Sequence, residues 1–181
     1  MPQNEQRLKS AIYILLDDII SNFGSEKICA IGISSIGPLD FKNGIILNPP
    51  NFYGIKNVEI KKDLEKRYNY PVYVDKDMNS CALAEWLFGN AKNISDYIYL
   101  GVTNGIGAAI ISADKLYRGA DGFCGEIGHI TVDLNGERCS CGNIGCLEMY
   151  ASIKNNDFSE LEKKCEYLAS GLVTLINLFD P

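Results

Sequence analysis

Apolar positions change their spacing several times along the chain. Leu8, Ile12, Leu15, Ile19 and Phe23 recur every three or four residues, which predicts an amphipathic helix over 5–23 stopped by Gly24. Residues 28–35 are apolar and rich in isoleucine, the pattern of a buried strand, and Gly37-Pro38 breaks it. Residues 44–47 predict a short strand running into the rigid extended loop Asn48-Pro49-Pro50-Asn51. A mostly exposed helix is expected over 59–68, a strand over 71–75, and a helix over 78–88 with Ala82, Leu83, Trp86 and Leu87 inward and Gly89 as its stop. Strands at 97–100 and 106–112 flank the turn Thr103-Asn104-Gly105, and the glycine-rich segment 119–125 reads as a loop. A last helix runs from about Ser159 to Phe179, with Ser159 and Glu162 as a capping box and Leu161, Cys165, Leu168, Leu172 and Ile176 as its apolar stripe. Strands alternating with helices indicate an α/β protein. No Pro/Gly/Ser linker divides the chain; a weak break near 89–95 separates residues 1–92 from 93–181.

The chemistry concentrates at 126–148. This stretch holds the only histidine, His129, and three of the seven cysteines, Cys139, Cys141 and Cys146. Imidazole and three thiolates make a complete tetrahedral ligand set for zinc, with no open position, so the metal would be structural. Cysteines also serve as small core hydrophobes. Here Arg138, Ser140, Gly142 and Asn143 surround them, which is turn chemistry. An odd cysteine count and the lack of a signal h-region argue against a secreted disulfide framework. Glu126 and Glu148 bracket the set, and carboxylates held beside a metal suit recognition of a polyol.

Composition narrows the partners. The chain has 181 residues, 46% hydrophobic and 22% charged, with a net charge of −6. An acidic chain with no basic run is a poor nucleic-acid binder, and no stretch has the apolar length of a membrane span. Free thiols beside a metal cluster fit the reducing cytoplasm.

Two further segments admit two readings each. Asp77, in Asp75-Lys76-Asp77-Met78-Asn79, lies between a strand and a helix, where a carboxylate could act as general base toward a substrate hydroxyl. On local evidence, helix capping by Asp77 or Asn79 is the simpler account. Asn104-Gly105-Ile106-Gly107 could present backbone N–H groups to a phosphate, although Asn-Gly between apolar runs is foremost a hairpin signal.

Taken in order, Ile-Gly-Ile-Ser-Ser-Ile-Gly-Pro, Asn-Pro-Pro-Asn, Asp-Lys-Asp-Met-Asn-Ser-Cys-Ala-Leu-Ala-Glu, Asn-Gly-Ile-Gly-Ala-Ala-Ile-Ile and Gly-Glu-Ile-Gly-His with Cys-Ser-Cys-Gly-Asn-Ile-Gly-Cys-Leu-Glu resemble the ROK family of bacterial sugar kinases and sugar-responsive repressors. The resemblance covers residues 28–152, with a family-like last helix at 160–181. It implies an actin-like (ribonuclease-H-like) two-lobe fold with a sugar in the cleft, a zinc held by His129, Cys139, Cys141 and Cys146, and sugar contacts from Glu126, His129 and Glu148. It matches Asp77 to the kinase general base and places Gly37 and Asn51 in loops lining the cleft. Lys76 stands where the kinases carry a sugar-binding Asn. The family's Thr-Gly-Thr-Gly phosphate turn is replaced by Val102-Thr103-Asn104-Gly105. The N-terminal Asp-x-Gly-Gly-Thr loop and the adenosine loop expected after Pro181 are missing, so the resemblance is to a shortened member or fragment. It implies the effector region of a sugar-responsive regulator, taking a hexose or amino sugar and forming homo-oligomers. The alternative is a glucokinase-type kinase, which would add ATP and Mg. A zinc-stabilised interaction remnant is the third reading.

Overall fold

The computed structural model describes residues 4–49, 54–154 and 157–181, so Asn51 in the predicted Pro-Pro loop lies outside the described residues. The chain packs as two units, Met1–Asp77 and Met78–Pro181. They part ahead of the helix at 77–88, whereas the polar, glycine-containing break in the sequence follows that helix. The helix goes with the second unit because Ala82 packs with Ala109 and Ile111.

In the first unit the expected helix, α1, spans Glu5–Phe23. Asn4 caps it by accepting the Arg7 N–H at 2.9 Å, and Gly24, at φ 80°, closes it by donating to the Ile20 carbonyl. Its inward face runs through Leu8, Ile12, Tyr13 and Leu16, while Leu15, Ile19 and Phe23 of the expected stripe are exposed. Strand β1 (Ile31–Ser35) pairs in parallel with β4 (Val72–Lys76), with Ile31 opposite Val72 and Ser35 opposite Lys76. The sequence predicts β1 to be buried throughout. Instead it alternates, because only one face of this two-stranded sheet is covered: Ile31, Val72 and Val74 enter the core, while Gly32, Ser34 and Tyr73 are exposed.

Between β1 and β4, β2 (Leu39–Asp40) and β3 (Ile45–Ile46) form a small hairpin. Asp40 organises it, its carboxylate accepting from the Lys42 and Asn43 backbones and the Asn43 side chain. Helix α2 (Ile60–Tyr68) is less exposed than its composition suggests, since Ile60 and Leu64 are buried at helical spacing against Val58, Ile46 and Val72.

In the second unit, α3 (Asp77–Phe88, its first residue counted with the first unit) leads to an antiparallel sheet in the order β5 (Tyr97–Val102), β6 (Ile106–Ser112), β7 (Lys115–Tyr117). Central β6 shows the period of two that a doubly covered strand needs. Ile106 and Ala108 face a core with Ile127, Leu147, Ala151 and Leu175, while Ala109 and Ile111 face Ala82. Short helix α4 spans Leu147–Ala151 and long helix α5 spans Leu161–Phe179.

Two expectations for α5 fail for identifiable reasons. Ser159 does not cap it: its N–H and hydroxyl donate to the Asp157 carboxylate at 2.9 Å, and left-handed Glu160 precedes the helix without a side-chain cap. The buried face is turned from the predicted stripe toward Tyr167, Leu168, Gly171 and Leu175, leaving Leu161, Leu172 and Ile176 exposed. Gly171 dictates that rotation, because a Cβ there would stand 2.6 Å from Leu147 Cδ2, so the helix seats its glycine on Leu147. Among the described residues no helix is long and apolar enough to cross a membrane.

Leu64, fully buried in the first unit, offers a direct check of this packing. Leu64→Ala is expected to cost about 2–5 kcal/mol, the range for a large-to-small change at a closed site, read from urea unfolding of the purified chain.

Candidate metal and ligand centre

The centre forms where a loop presses backbone-first onto β6. Gly125 has φ +87°, its carbonyl accepts the Ala108 N–H at 2.8 Å, and a Cβ there would lie 1.9 Å from the Ala108 oxygen. A Cβ at Gly128 would lie 2.3 Å from the Ile106 oxygen. Only glycine fits such an approach, so both positions are dictated by the strand beneath them. Between and after these glycines the chain makes a 3₁₀ turn over Ile127–His129, with the His129 N–H donating to the Glu126 carbonyl at 3.1 Å. The loop therefore reaches Glu126 and His129 already anchored.

A return strand-like segment closes the centre. Thr131 pairs with Cys146 and Arg138 with Ile144. The Val132 N–H donates to Gly145 at 2.8 Å and the Leu147 N–H to Ile130 at 2.9 Å, which brings Cys146 beside His129. Cys139 and Cys141 sit on a tight turn in which the Gly142 N–H donates to the Cys139 carbonyl at 2.9 Å. Gly142, at φ +96°, supplies the left-handed residue the turn needs.

The ligand atoms of His129, Cys139, Cys141 and Cys146 all lie within 4.8 Å of one another. His129 Nδ1 is 3.8 Å from Cys139 Sγ, and Cys141 Sγ is 3.7 Å from Cys146 Sγ. Metal–sulfur bonds of about 2.3 Å in a tetrahedron imply sulfur–sulfur edges of roughly 3.8 Å. All three cysteines are free thiols, so these distances reflect a convergent cluster and not a disulfide. The four residues could hold a metal ion through Nδ1 and three sulfurs, leaving the second ring nitrogen of His129 for another partner.

The thiols themselves register the crowding. Burial works to raise Cys139, but hydrogen bonds from Cys141, Cys146 and His129 outweigh it and bring the thiol down to about 7. Burial, reinforced by the neighbouring Cys141 and Cys139 sulfurs, pushes Cys146 up to about 12. One thiolate is thus accommodated near neutrality and the next is resisted, which is the repulsion a bound cation removes.

Asn143 is a member of the centre that its turn-like sequence context hides. Its Nδ2 donates to the His129 carbonyl at 3.1 Å and the Thr131 hydroxyl at 3.0 Å, and lies 3.5 Å from Cys146 Sγ. It ties the histidine strand to the cysteine turn.

Glu148, in the first turn of α4, lies two residues beyond the ligand Cys146. Its Oε2 accepts the Ile106 N–H at 3.1 Å. The turn from β5 to β6 is held a second time by the Ile153 N–H, which donates to the Thr103 carbonyl at 2.7 Å. As local signals predict, Thr103-Asn104-Gly105 forms a hairpin. Neither Asn104 nor Gly105 takes the positive φ of a tight Asn-Gly turn, however, and the Thr103 hydroxyl points back to the Gly105 carbonyl at 3.4 Å. Gly107 pairs with Gly101 and has a packing role: Cβ atoms at these two positions would lie 3.0 Å from Met78 Cγ and 2.3 Å from Met78 Sδ respectively.

In the first unit, Gly37 forms a cis peptide with Pro38 between β1 and β2. Lys76, only 7% exposed, ends β4, and Asp77 opens α3 in the first turn, where the helix dipole favours a carboxylate. The Lys76 N–H donates to Asp75 Oδ1 at 2.8 Å.

With this geometry in hand, similarity to known proteins is informative. The sequence model of the ROK family matches residues 1–156. The xylose repressor of Bacillus subtilis (strain 168) is 36% identical over 174 residues, covering 92% of this chain and 44% of that protein. The crystal structure of a ROK family transcriptional regulator, a homologue of the Escherichia coli MLC protein, superposes with a TM-score of 0.82 at 25% identity, covering 98% of this chain and 55% of that one. A ROK family glucokinase from Streptomyces griseus, solved with glucose and AMPPNP, superposes with a TM-score of 0.84 at 25% identity, covering 99% and 70%. The fold is thus α/β, of the actin-like ATPase type. The chain spans less than half the length of the curated relatives it matches, for example 38% of the Caldicellulosiruptor bescii xylose repressor and 44% of the B. subtilis one.

Metal capture should depend on Asn143 and on pH. Asn143→Ala is expected to weaken metal affinity at least about tenfold, as loss of an outer-shell tie does, measured by competition with a chromophoric chelator. Because Cys146 sits near 12 without metal, binding at neutral pH should release at least one proton per ion. Affinity should therefore rise with pH, and the proton count follows from calorimetry in buffers of different ionisation enthalpy.

Proposed function

The chain belongs to the ROK family, and from that premise we propose that it is the zinc-stabilised, sugar-binding effector region of a sugar-responsive transcriptional regulator. Zinc is the ion that a His/Cys₃ set with sulfur-matched spacing suits best. Its role is structural. It supplies a fixed positive centre that ties the 126–131 segment to the 139–146 turn. His129, with Nδ1 on the cluster side, presents its other nitrogen to a sugar hydroxyl, and the carboxylates of Glu126 and Glu148 accept hydrogen bonds from neighbouring hydroxyls. Gly37, Asn51, Lys76 and Asp77 are the further sugar residues in this reading. The ligand class is a hexose or amino sugar. Xylose joins the candidates because the B. subtilis relative is a xylose repressor. A cytoplasmic homo-oligomer is the setting this reading assumes.

The observation that carries regulator over kinase is the state of the β5–β6 turn beside an assembled ligand cluster. Phosphoryl transfer depends on groups aimed at the phosphates. Here the Thr103 hydroxyl is turned to its own turn, and Lys76 replaces the kinase Asn. The likeness to a repressor over 92% of the chain supports the same reading. A glucokinase-type kinase, with Asp77 as general base and ATP and Mg as further requirements, is the second reading. It is favoured by the position of Asp77 at the end of β4 and by the glucokinase likeness.

Three measurements test these statements. Elemental analysis should return one zinc per chain, falling in Cys141→Ser; purified, folded protein without stoichiometric zinc would contradict the metal assignment. Calorimetry on zinc-loaded protein with hexoses, amino sugars and xylose should find a ligand whose affinity drops about tenfold or more in Glu126→Gln, which keeps the shape and removes a charged acceptor. Coupled-enzyme assays should show no sugar-dependent ADP release. Turnover lost in Asp77→Ala would replace the regulator reading with the kinase one.

A further inference from the structure

Gly105 has no backbone reason to be glycine. Its φ lies outside the positive range that L side chains avoid, so an alanine there would meet no torsional objection. Among the described residues its one close neighbour beyond the turn is the Glu148 carboxylate: a Cβ on Gly105 would stand 2.8 Å from Oε2 and 3.6 Å from Cδ. The same oxygen accepts the Ile106 N–H at 3.1 Å. The turn that offers this N–H is itself held on both sides. The Thr103 N–H donates to the Gly105 carbonyl at 2.8 Å, and the Ile153 N–H, just past α4, donates to the Thr103 carbonyl at 2.7 Å. Glu148 is thus fixed at its root by α4 and the neighbouring Cys146, and at its tip by a backbone N–H beside a position where a Cβ would crowd the same carboxylate oxygen.

We propose that Gly105 is a positioning residue for the sugar site: it opens the space in which the Ile106 N–H locks Oε2 of Glu148, so that the other oxygen, Oε1, is presented to a sugar hydroxyl in one orientation. This rests on the sugar-binding reading above and deepens it. Gly105 touches no sugar in this account; it acts through Glu148. The Asn-Gly sequence of the turn, which reads as a hairpin device or a phosphate cradle, gains a third role that depends on a residue far along the chain. Glu148 in turn is a ligand residue pre-oriented by a backbone bond, which removes rotamer freedom before the sugar arrives. The charged acceptor also makes that backbone bond stronger than a neutral one.

The test uses the full zinc-loaded chain with four variants, Gly105→Ala, Glu148→Ala, Glu148→Gln and the double variant Gly105→Ala/Glu148→Ala. Two readouts are taken: exchange of the Ile106 amide by NMR, and sugar affinity by calorimetry with the hexose, amino-sugar and xylose panel. Glu148→Ala should speed Ile106 exchange at least tenfold, and Glu148→Gln should recover part of the protection because its carbonyl oxygen still accepts. Gly105→Ala should speed exchange comparably and weaken sugar binding about tenfold although both carboxylate and zinc remain. Adding Gly105→Ala to Glu148→Ala should change neither the exchange nor the unfolding midpoint further, since the clash has been removed. The proposal is overturned if Gly105→Ala leaves sugar affinity intact, or if it costs as much stability in the Glu148→Ala background as in the parent. A parent chain that is folded and zinc-loaded but gives no heat with any sugar sinks the sugar-binding reading and, with it, this role for Gly105. Sugar binding that is normal in Gly105→Ala sinks this role alone.

Discussion

The second unit depends on one backbone contact, that of residues 125–128 against β6. Two glycines let the loop lie within hydrogen-bonding distance of the strand, with the Ala108 N–H on Gly125 and the Ile106 oxygen under Gly128. β6 is the most buried strand of its sheet, covered on both faces, so it is a stiff base. Fixing the loop to it fixes Ile127 in the core and places Glu126 and His129 on either side of that anchor. The return segment is aligned by pairing with the same loop, through Thr131 and Cys146. Any side chain at 125 or 128 would lift the loop off the strand and take the histidine ligand with it.

Electrostatics then explain why the cluster and the fold are coupled. Crowding splits two of the thiols: hydrogen bonds outweigh burial and draw Cys139 down to about 7, while burial pushes Cys146 up to about 12. Without a cation, a protonated Cys146 is the lower-energy arrangement, and the segment is held mainly by Asn143 and the backbone ladder. A doubly charged ion held by the four residues would reverse the balance by stabilising each thiolate it meets. Metal affinity would thereby become part of the folding free energy of residues 126–148.

Much of this architecture is legible in the residues themselves, and the boundaries show where legibility stops. The ligand set can be named from residue type and spacing, because few other arrangements explain a histidine and three cysteines amid turn residues. Helix α1 matches its predicted span end to end, since Asn4 and Gly24 are local signals acting within one turn. The rotation of α5 was not legible: its repeat suits a face through Leu172 and Ile176, and the decision is made by Gly171 meeting Leu147, a contact set by tertiary approach. The capping box failed because Asp157, a competing acceptor two residues upstream, captures Ser159 first. Burial of β1 was overestimated because apolar composition cannot show that only one face of a sheet will be covered. Asn143 looked like punctuation because a side-chain clamp and a turn former have the same sequence signature.

Glycine is the residue whose meaning the structure changes most. By sequence, Gly105 and Gly107 belong to a turn that reads either as a phosphate cradle or as a hairpin. In the fold their backbone freedom is unused at 105, where the space is taken by Glu148, and at 107 it is Met78 that occupies the space. Under the reading proposed above, a cluster that orders Glu126, His129 and Glu148 would serve regulators and kinases alike, since both must hold a sugar. Discrimination has to come from groups that would face a phosphate, and under the same reading that place is the Thr103-Asn104 turn. A threonine hydroxyl bonded back to its own turn is a poor phosphate-binding part. Under that reading the His/Cys₃ side of the second unit answers what is bound, and the β5–β6 turn of the same unit answers what is done with it.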